Sequence, residues 1–218
     1  MLVIFDCDGV LVDTEELCAQ VFSQTLQSLG ILLSTDECLK HFKGKTLSEC
    51  YRWLEQDQSH RLPDGKLPSD FPELLDQATY TALAKSTQAI EGVTELVGEL
   101  KNKNIAYCVA SNGGHKKIRC SLSCAGLWSY FSDLVFSAED VKQGKPAPDL
   151  FLYAAEAIGV PARFCYVIED SLSGVQAARA AGMNVIAFSP EADSELEIDD
   201  QVVLVSNMGD VEKILLKT

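Results

Sequence analysis

Five short apolar runs punctuate the chain: Leu2–Phe5, Ile105–Ala110, Phe164–Ile168, Val185–Phe188 and Val202–Val205. They are rich in Val, Ile, Phe and Tyr and lack the polar alternation of a half-exposed strand. That pattern predicts strands buried on both faces, as in a parallel sheet. Helical periodicity lies between them. Glu91–Lys103 reads as a helix that stops near Asn104. Ser171–Ala181 reads as another, opened by Asp170 or Ser171 and closed by Gly182. Strand and helix in alternation predict an α/β fold, a doubly wound, Rossmann-like parallel sheet.

Residues 15–85 break the rhythm. Leu17, Val21, Phe22, Thr25, Leu26 and Leu29 recur at helical spacing, Gly30 is placed to end that helix, and no strand pattern follows. A stretch rich in Pro, Gly and Asp, from Arg61 to Pro72, interrupts the segment. The prediction is a small all-helical insert at 15–85, with residues 1–14 and 86–218 forming one α/β unit around it.

Composition narrows the function. The chain has 218 residues, with 32 acidic against 18 basic and a formal net charge of −14. A sequence-independent nucleic-acid binder or a protein of anionic membrane surfaces needs a basic face, and no Lys/Arg cluster makes one. No apolar run reaches the roughly 18–20 residues of a membrane span. Leu2–Phe5 has no basic flank and runs into Asp6 and Asp8, unlike a secretion signal. The eight cysteines include no C-x-x-C pair and are expected as reduced, mostly packing thiols in a cytoplasmic, monomeric protein.

Candidate chemistry gathers at the predicted strand ends. The first strand runs into Asp6-Cys7-Asp8-Gly9. Carboxylates two residues apart on extended backbone project to one side, and held close they need a cation or a shared proton. Ile105–Ala110 runs into Ser111-Asn112-Gly113-Gly114, a hydroxyl and an amide on a glycine turn. Lys145 sits in Gly144-Lys145-Pro146-Ala147-Pro148, where the prolines stiffen the backbone beside a cation. Phe164–Ile168 ends in Glu169-Asp170-Ser171, again acidic at a strand end. Taken singly these are an ordinary turn, a solvated lysine and a helix cap. Together they supply hard oxygen ligands suited to Mg²⁺, a hydroxyl and a cationic clamp, which phosphoryl transfer requires.

The ordered set Asp6-Cys7-Asp8-Gly9-Val10-Leu11-Val12-Asp13-Thr14, Ser111-Asn112, Lys145-Pro146-Ala147-Pro148-Asp149 and Glu169-Asp170-Ser171 resembles the haloacid dehalogenase superfamily. It is most similar to the branch that holds β-phosphoglucomutase and the sugar-phosphate phosphatases. The resemblance implies that Asp6 is a nucleophile forming an aspartyl-phosphate and that Asp8 is the general acid and base. It further implies that Asp6, the Asp8 carbonyl and Asp170 hold Mg²⁺ with Glu169 beside them. Ser111, Lys145 and Asn112 would then hold the phosphoryl group, and residues 15–85 form a cap that closes the site, hinged near Asp13 and Thr14.

Departures from the pattern select among family members. An acid at Asp8 implies an oxygen leaving group rather than a halide or an enolate. Leu47 stands where the mutase carries an arginine for its second phosphate, and Cys18 where it carries a histidine; both argue for a phosphatase. The loop Phe42-Lys43-Gly44 resembles phosphatases of sugars and sugar acids, so 6-phosphogluconate is the expected type of small phosphorylated substrate. Lys43, Gly44 and Lys45 are placed to meet an anionic tail. A mutase, or a silent binding or regulatory domain of the same fold, is the alternative. Cys7 is not expected to act as a thiol nucleophile, because Asp13 stands where a thiol phosphatase needs arginine. His41, His60 and His115 have no metal-ligand spacing.

Overall fold

The structure, a computed structural model, describes residues 1–189 and 202–216. Strand β1 (Leu2–Phe5) is followed by four helices, α1 (Glu15–Ser28), α2 (Thr35–Phe42), α3 (Leu47–Asp57) and α4 (Phe71–Ser86). Then come α5 (Val93–Asn102), β2 (Ala106–Ser111), α6 (His115–Cys124), α7 (Trp128–Phe131), β3 (Val135–Ser137) and α8 (Asp149–Ile158). The chain finishes with β4 (Cys165–Glu169), α9 (Leu172–Ala180), β5 (Asn184–Phe188), β6 (Val202–Val205) and α10 (Met208–Leu216).

The six strands form one parallel sheet in the order β3-β2-β1-β4-β5-β6. The period-two geometry of β1 sorts its side chains to opposite faces. Val3 and Phe5 join the apolar cluster under α5, α6, α7 and α10, while Leu2 and Ile4 join the cluster under α8 and α9. Both faces are therefore covered, which is why the strands read as continuous apolar runs.

Connectivity decides where a ligand goes. The chain adds β2 and β3 on one side of β1 and then returns to place β4 on the other. Where the winding reverses, the loops after β1 and β4 diverge and leave a crevice at the carboxyl edge. Asp6 follows β1 at that edge, and Asp170 follows β4.

Helices α1–α4 bury a third apolar cluster of their own, including Phe22, Leu26, Leu54, Phe71 and Leu75. The two connections to the sheet run side by side: the Asp13 amide donates to the Gln88 carbonyl (3.1 Å), and Val12 bridges Ala89. No strand lies within residues 15–86, as the periodicity predicts. The Arg61–Pro72 interruption holds two 3₁₀ turns, Ser59–Arg61 and Pro63–Gly65. Gly30, at φ 78°, takes the left-handed conformation just past the end of α1.

Several element ends shift by one residue, and three further differences have a local cause. The β3 strand was not legible, since it has three residues and its first two are only half-buried. Phe164 lies outside β4, in a 3₁₀ turn, and is 49% exposed, so its apolar character did not signal burial. Helix α5 starts two residues later than Glu91 because Gly92, at φ 85°, sets its start. All eight cysteines are unpaired, and five are buried. No helix among the described residues is long and apolar enough to cross a membrane.

Candidate active site

The Asp6 amide donates to the Ile168 carbonyl (3.0 Å), so the β1–β4 pairing extends one residue past the strand and holds Asp6 level with the end of β4. Its Oδ1 accepts from Lys145 Nζ at 2.6 Å. The same ammonium, 2% exposed, donates to Glu169 Oε1 at 2.5 Å and lies 4.8 Å from the centre of the Phe151 ring. Burial works against the charged lysine, but Asp6 and Glu169 outweigh it and keep its pKa above the ordinary lysine range. Lys145 is therefore a fixed cation.

Its backbone is fixed too. The Asn112 side chain accepts from the Lys145 amide (2.9 Å) and donates to the Lys145 carbonyl (3.0 Å). Asn112 also donates to the carbonyl of Gly44 (3.0 Å), which accepts a second bond from Ser173 Oγ (3.0 Å). Gly44 thus docks the α2–α3 loop onto the sheet. A side chain there would press on Ser171 and Ser173, at 2.8 Å from each, and φ is +69°. Ser111 is buried, and its hydroxyl accepts from the Gly113 amide (3.1 Å), bracing the turn after β2.

Glu169 is held at both oxygens. Besides Lys145, its Oε2 accepts from the Ser171 amide (3.1 Å) and hydroxyl (2.9 Å). Asp170 accepts from Lys43 Nζ at 2.8 Å, and Lys43 also pairs with Glu15 at 2.7 Å. Lys43 therefore reaches from the helical unit onto the acids of the sheet. Ligand oxygens of Asp6, Glu169 and Asp170 lie within 4.8 Å of one another.

The electrostatics of this cluster are unbalanced. Burial pushes the Asp6 carboxyl well up, and Glu169 and Asp170 add to that against the pull of Lys145. Burial, then Glu15 and Glu169, push Asp170 up to about 8 despite Lys43. Three convergent carboxylates with two ammonium partners leave excess negative charge, and all the donors are hard oxygens. A hard divalent cation such as Mg²⁺ fits that set.

Asp8 behaves differently. Its Oδ2 accepts from Lys117 Nζ at 2.6 Å, and its Oδ1 accepts a very short bond from the Thr14 hydroxyl. Burial raises its pKa, but Lys117 and Thr14 outweigh that and leave it below the usual carboxylate range. Cys7, between the two acids, has its thiol pushed well up by burial and then by Asp8 and Asp6, which suits packing and not nucleophilic attack.

Lys117 is the residue that sequence reasoning missed. A signal existed: Lys116 and Lys117 stand in the first turn of α6, where the helix dipole disfavours cations, so an acidic partner was called for. His115 starts that helix and pairs with Asp140 (2.8 Å). Trp53 packs against His41 and Phe42.

Asp6, Asp8, Ser111, Asn112, Lys117, Lys145, Glu169 and Asp170 border one cleft of about 1060 Å³ between the sheet edge and the helical unit, with Lys43 and Gly44 on its other side, whereas Cys7, His41, Trp53 and His115 lie outside its lining. A doubly wound sheet with acids at the ends of β1 and β4, a buried lysine between them and helices inserted after β1 defines a class of acid-centred α/β hydrolase. The profile of the haloacid dehalogenase-like hydrolases matches residues 3–188, and the chain belongs to that family. It is 30% identical over 213 residues to the 6-phosphogluconate phosphatase of Escherichia coli, covering 97% of this chain and 93% of that one. A haloacid dehalogenase-like protein from Agrobacterium tumefaciens superposes with a TM-score of 0.76 at 31% identity, over 99% of this chain and 97% of its own. The fold is shared with CbbY of Rhodobacter sphaeroides, solved with phosphate, at a TM-score of 0.83 and 22% identity over 96% and 95% of the two chains. Within its family the chain falls in the sugar-phosphate phosphatase branch, as an enzyme that hydrolyses phosphoric monoesters.

Proposed function

We propose that this phosphatase hydrolyses a small sugar or sugar-acid phosphate, of which 6-phosphogluconate is the leading case, through a covalent intermediate on Asp6. The observation that carries the reading is the convergence of Asp6, Asp8, Lys145 and Asp170 on one cleft at the reversal point of the sheet.

The Asp6 carboxylate attacks phosphorus, the bond to the leaving oxygen breaks, and Asp8, which must first take up a proton against the pull of Lys117 and Thr14, delivers it to that oxygen. Asp8 then takes a proton from water, whose oxygen attacks the same phosphorus and frees Asp6. Lys145 and Ser111 hold the phosphoryl oxygens, and Asn112 holds the Lys145 backbone in place. Asp6, the Asp8 carbonyl and Asp170, with Glu169 beside them, would hold Mg²⁺, which when bound would supply charge neutralisation for the phosphoryl group.

The helical unit, residues 15–85, serves as a cap on the site, tied down through Gly44 and Lys43 and hinged where its two connections pair near Asp13 and Gln88. With Lys43 engaged on Asp170 and Glu15, an anionic tail falls to Lys45, Arg52 and Lys142, which border the cleft without an ion-pair partner among the described residues. Leu47 borders the same cleft, 46% exposed, and offers nothing to a second phosphate, which favours hydrolysis over mutase chemistry.

Phosphate release from a panel of 6-phosphogluconate, hexose phosphates, nucleotides and phosphoglycolate tests the reading, with Mg²⁺ or chelator present. Wild type is expected to release phosphate only with metal and to prefer a sugar acid, while Asp6→Asn loses on the order of 10³-fold or more. A neutral hexose phosphate clearly preferred over 6-phosphogluconate would remove the sugar-acid assignment, and an active Asp6→Asn would remove the covalent mechanism.

A further inference from the structure

Asp8 carries a mechanistic load that its own geometry does not secure. The last torsion of an aspartate is broad and roughly two-fold, so a carboxylate anchored at one oxygen still swings. Here it is anchored at both, from two different elements. Thr14 closes on Oδ1 from the connection into α1, and Lys117 closes on Oδ2 at 2.6 Å from α6. Asp8 and Lys117 are each partly exposed and both border the cleft, 21% and 24% by side chain.

An ammonium in the first turn of α6 is unfavourable to the helix, and Asp8 offsets that cost. The same turn meets the helical unit, because Lys116 stands 4.3 Å above the Tyr80 ring of α4. Neighbouring lysines of one turn therefore touch the helical unit and the acid of the sheet.

We infer that Lys117 is the positioning residue for Asp8, orienting its carboxylate toward the leaving oxygen and tying that orientation to the seating of α4 on α6. The inference rests on the proposed role of Asp8 in protonating the leaving oxygen. Its consequence is dependence on the leaving group. An alkoxide must be protonated as it departs, whereas p-nitrophenolate leaves as a stable anion and needs no proton. A misplacement of about 1 Å in such a group costs on the order of 10²-fold.

The experiment compares β-glycerophosphate, glucose 6-phosphate and 6-phosphogluconate with p-nitrophenyl phosphate, for wild type, Lys117→Met, Lys117→Arg and Asp8→Asn. For Lys117→Met, kcat/KM on the alkyl phosphates, which leaves out the shared step in which Asp8 activates water, is expected to fall about 10- to 100-fold further than on p-nitrophenyl phosphate. Lys117→Arg, which keeps a cation able to grip a carboxylate, restores most of the difference; it also serves if Lys117→Met does not fold. Equal losses of kcat/KM on all probes, or a rise in KM alone, would overturn the positioning role. Asp8→Asn serves as the reference. If it shows no leaving-group dependence, the reading of Asp8 falls, and if it shows the dependence while both Lys117 variants do not, only the present inference falls. Wild type active on none of the probes would overturn both.

Discussion

A methyl group added at Gly174 would overlap the Glu169 carboxylate. In an exposed helix interior, glycine to alanine stabilises by about 1 kcal/mol, because the backbone loses less entropy on folding. Here the sign reverses. Glu169 is fully buried and holds the Lys145 ammonium, so it has no room to retreat without leaving a buried cation short of a partner. Gly174→Ala is expected to lower both the melting temperature and the turnover number, which thermal melts and phosphate release would check together. An unchanged melting temperature would mean that Glu169 moves freely. Gly9 meets a comparable restriction, since a side chain there would run into Asp170 and φ is +80°.

Elements set these residues in place through their ends more than through their middles. Helices α2 and α3 both open with reciprocal capping, Ser34 with Glu37 and Thr46 with Glu49. The α2–α3 loop between these helices carries Lys43 and Gly44, so the caps limit how far that loop wanders. Glu37 adds a bond to Arg61 (2.9 Å), closing α2 against the 3₁₀ turn that follows α3. The Ser34 amide, then Arg61 and the Ser34 hydroxyl, pull its carboxyl from 4.5 down to about 2. A carboxylate lowered on folding contributes stability above its unfolded value and loses it as pH falls through the folded one. The melting advantage of wild type over Glu37→Gln is therefore expected in full above about pH 5 and to shrink between pH 4.5 and 2. Paired melts across that range would show it, and an advantage that grew on acidification would contradict the assignment.

The whole molecule confines its reactive groups. Cys7, Cys38, Cys50, Cys108 and Cys165 are buried, and burial pushes the thiols of Cys38 and Cys50 up to about 12. Only Cys124 is exposed, with Cys18 and Cys120 partly so. Titration with a thiol reagent under native conditions is expected to modify Cys124 first, Cys18 and Cys120 more slowly, and the other five only on unfolding. Fast labelling of Cys38 or Cys50 would show that the helical unit opens on its own. The net charge of −14 makes local anion attraction a matter of placement. Lys145 keeps its charge through the carboxylates beside it, and Lys45, Arg52 and Lys142 stand at the cleft rim.

The sequence alone determined the sheet's buried strands, the helical interruption after the first strand and the acids at two strand ends. Each follows from properties of consecutive residues: burial on both faces leaves an unbroken apolar run, and acids that directly follow such a run mark its end. Short or exposed pieces escaped, such as β3 with three residues and Phe164 in its 3₁₀ turn, because they leave no periodic trace. Tertiary structure decided which charges meet. Lys117 reaches Asp8 across 109 positions, Lys145 reaches Asp6 across 139, and Lys43 crosses from the helical unit to Asp170. No local pattern encodes such pairs, since the winding of the sheet brings its ends together and only there does each ammonium find the carboxylate that offsets its burial.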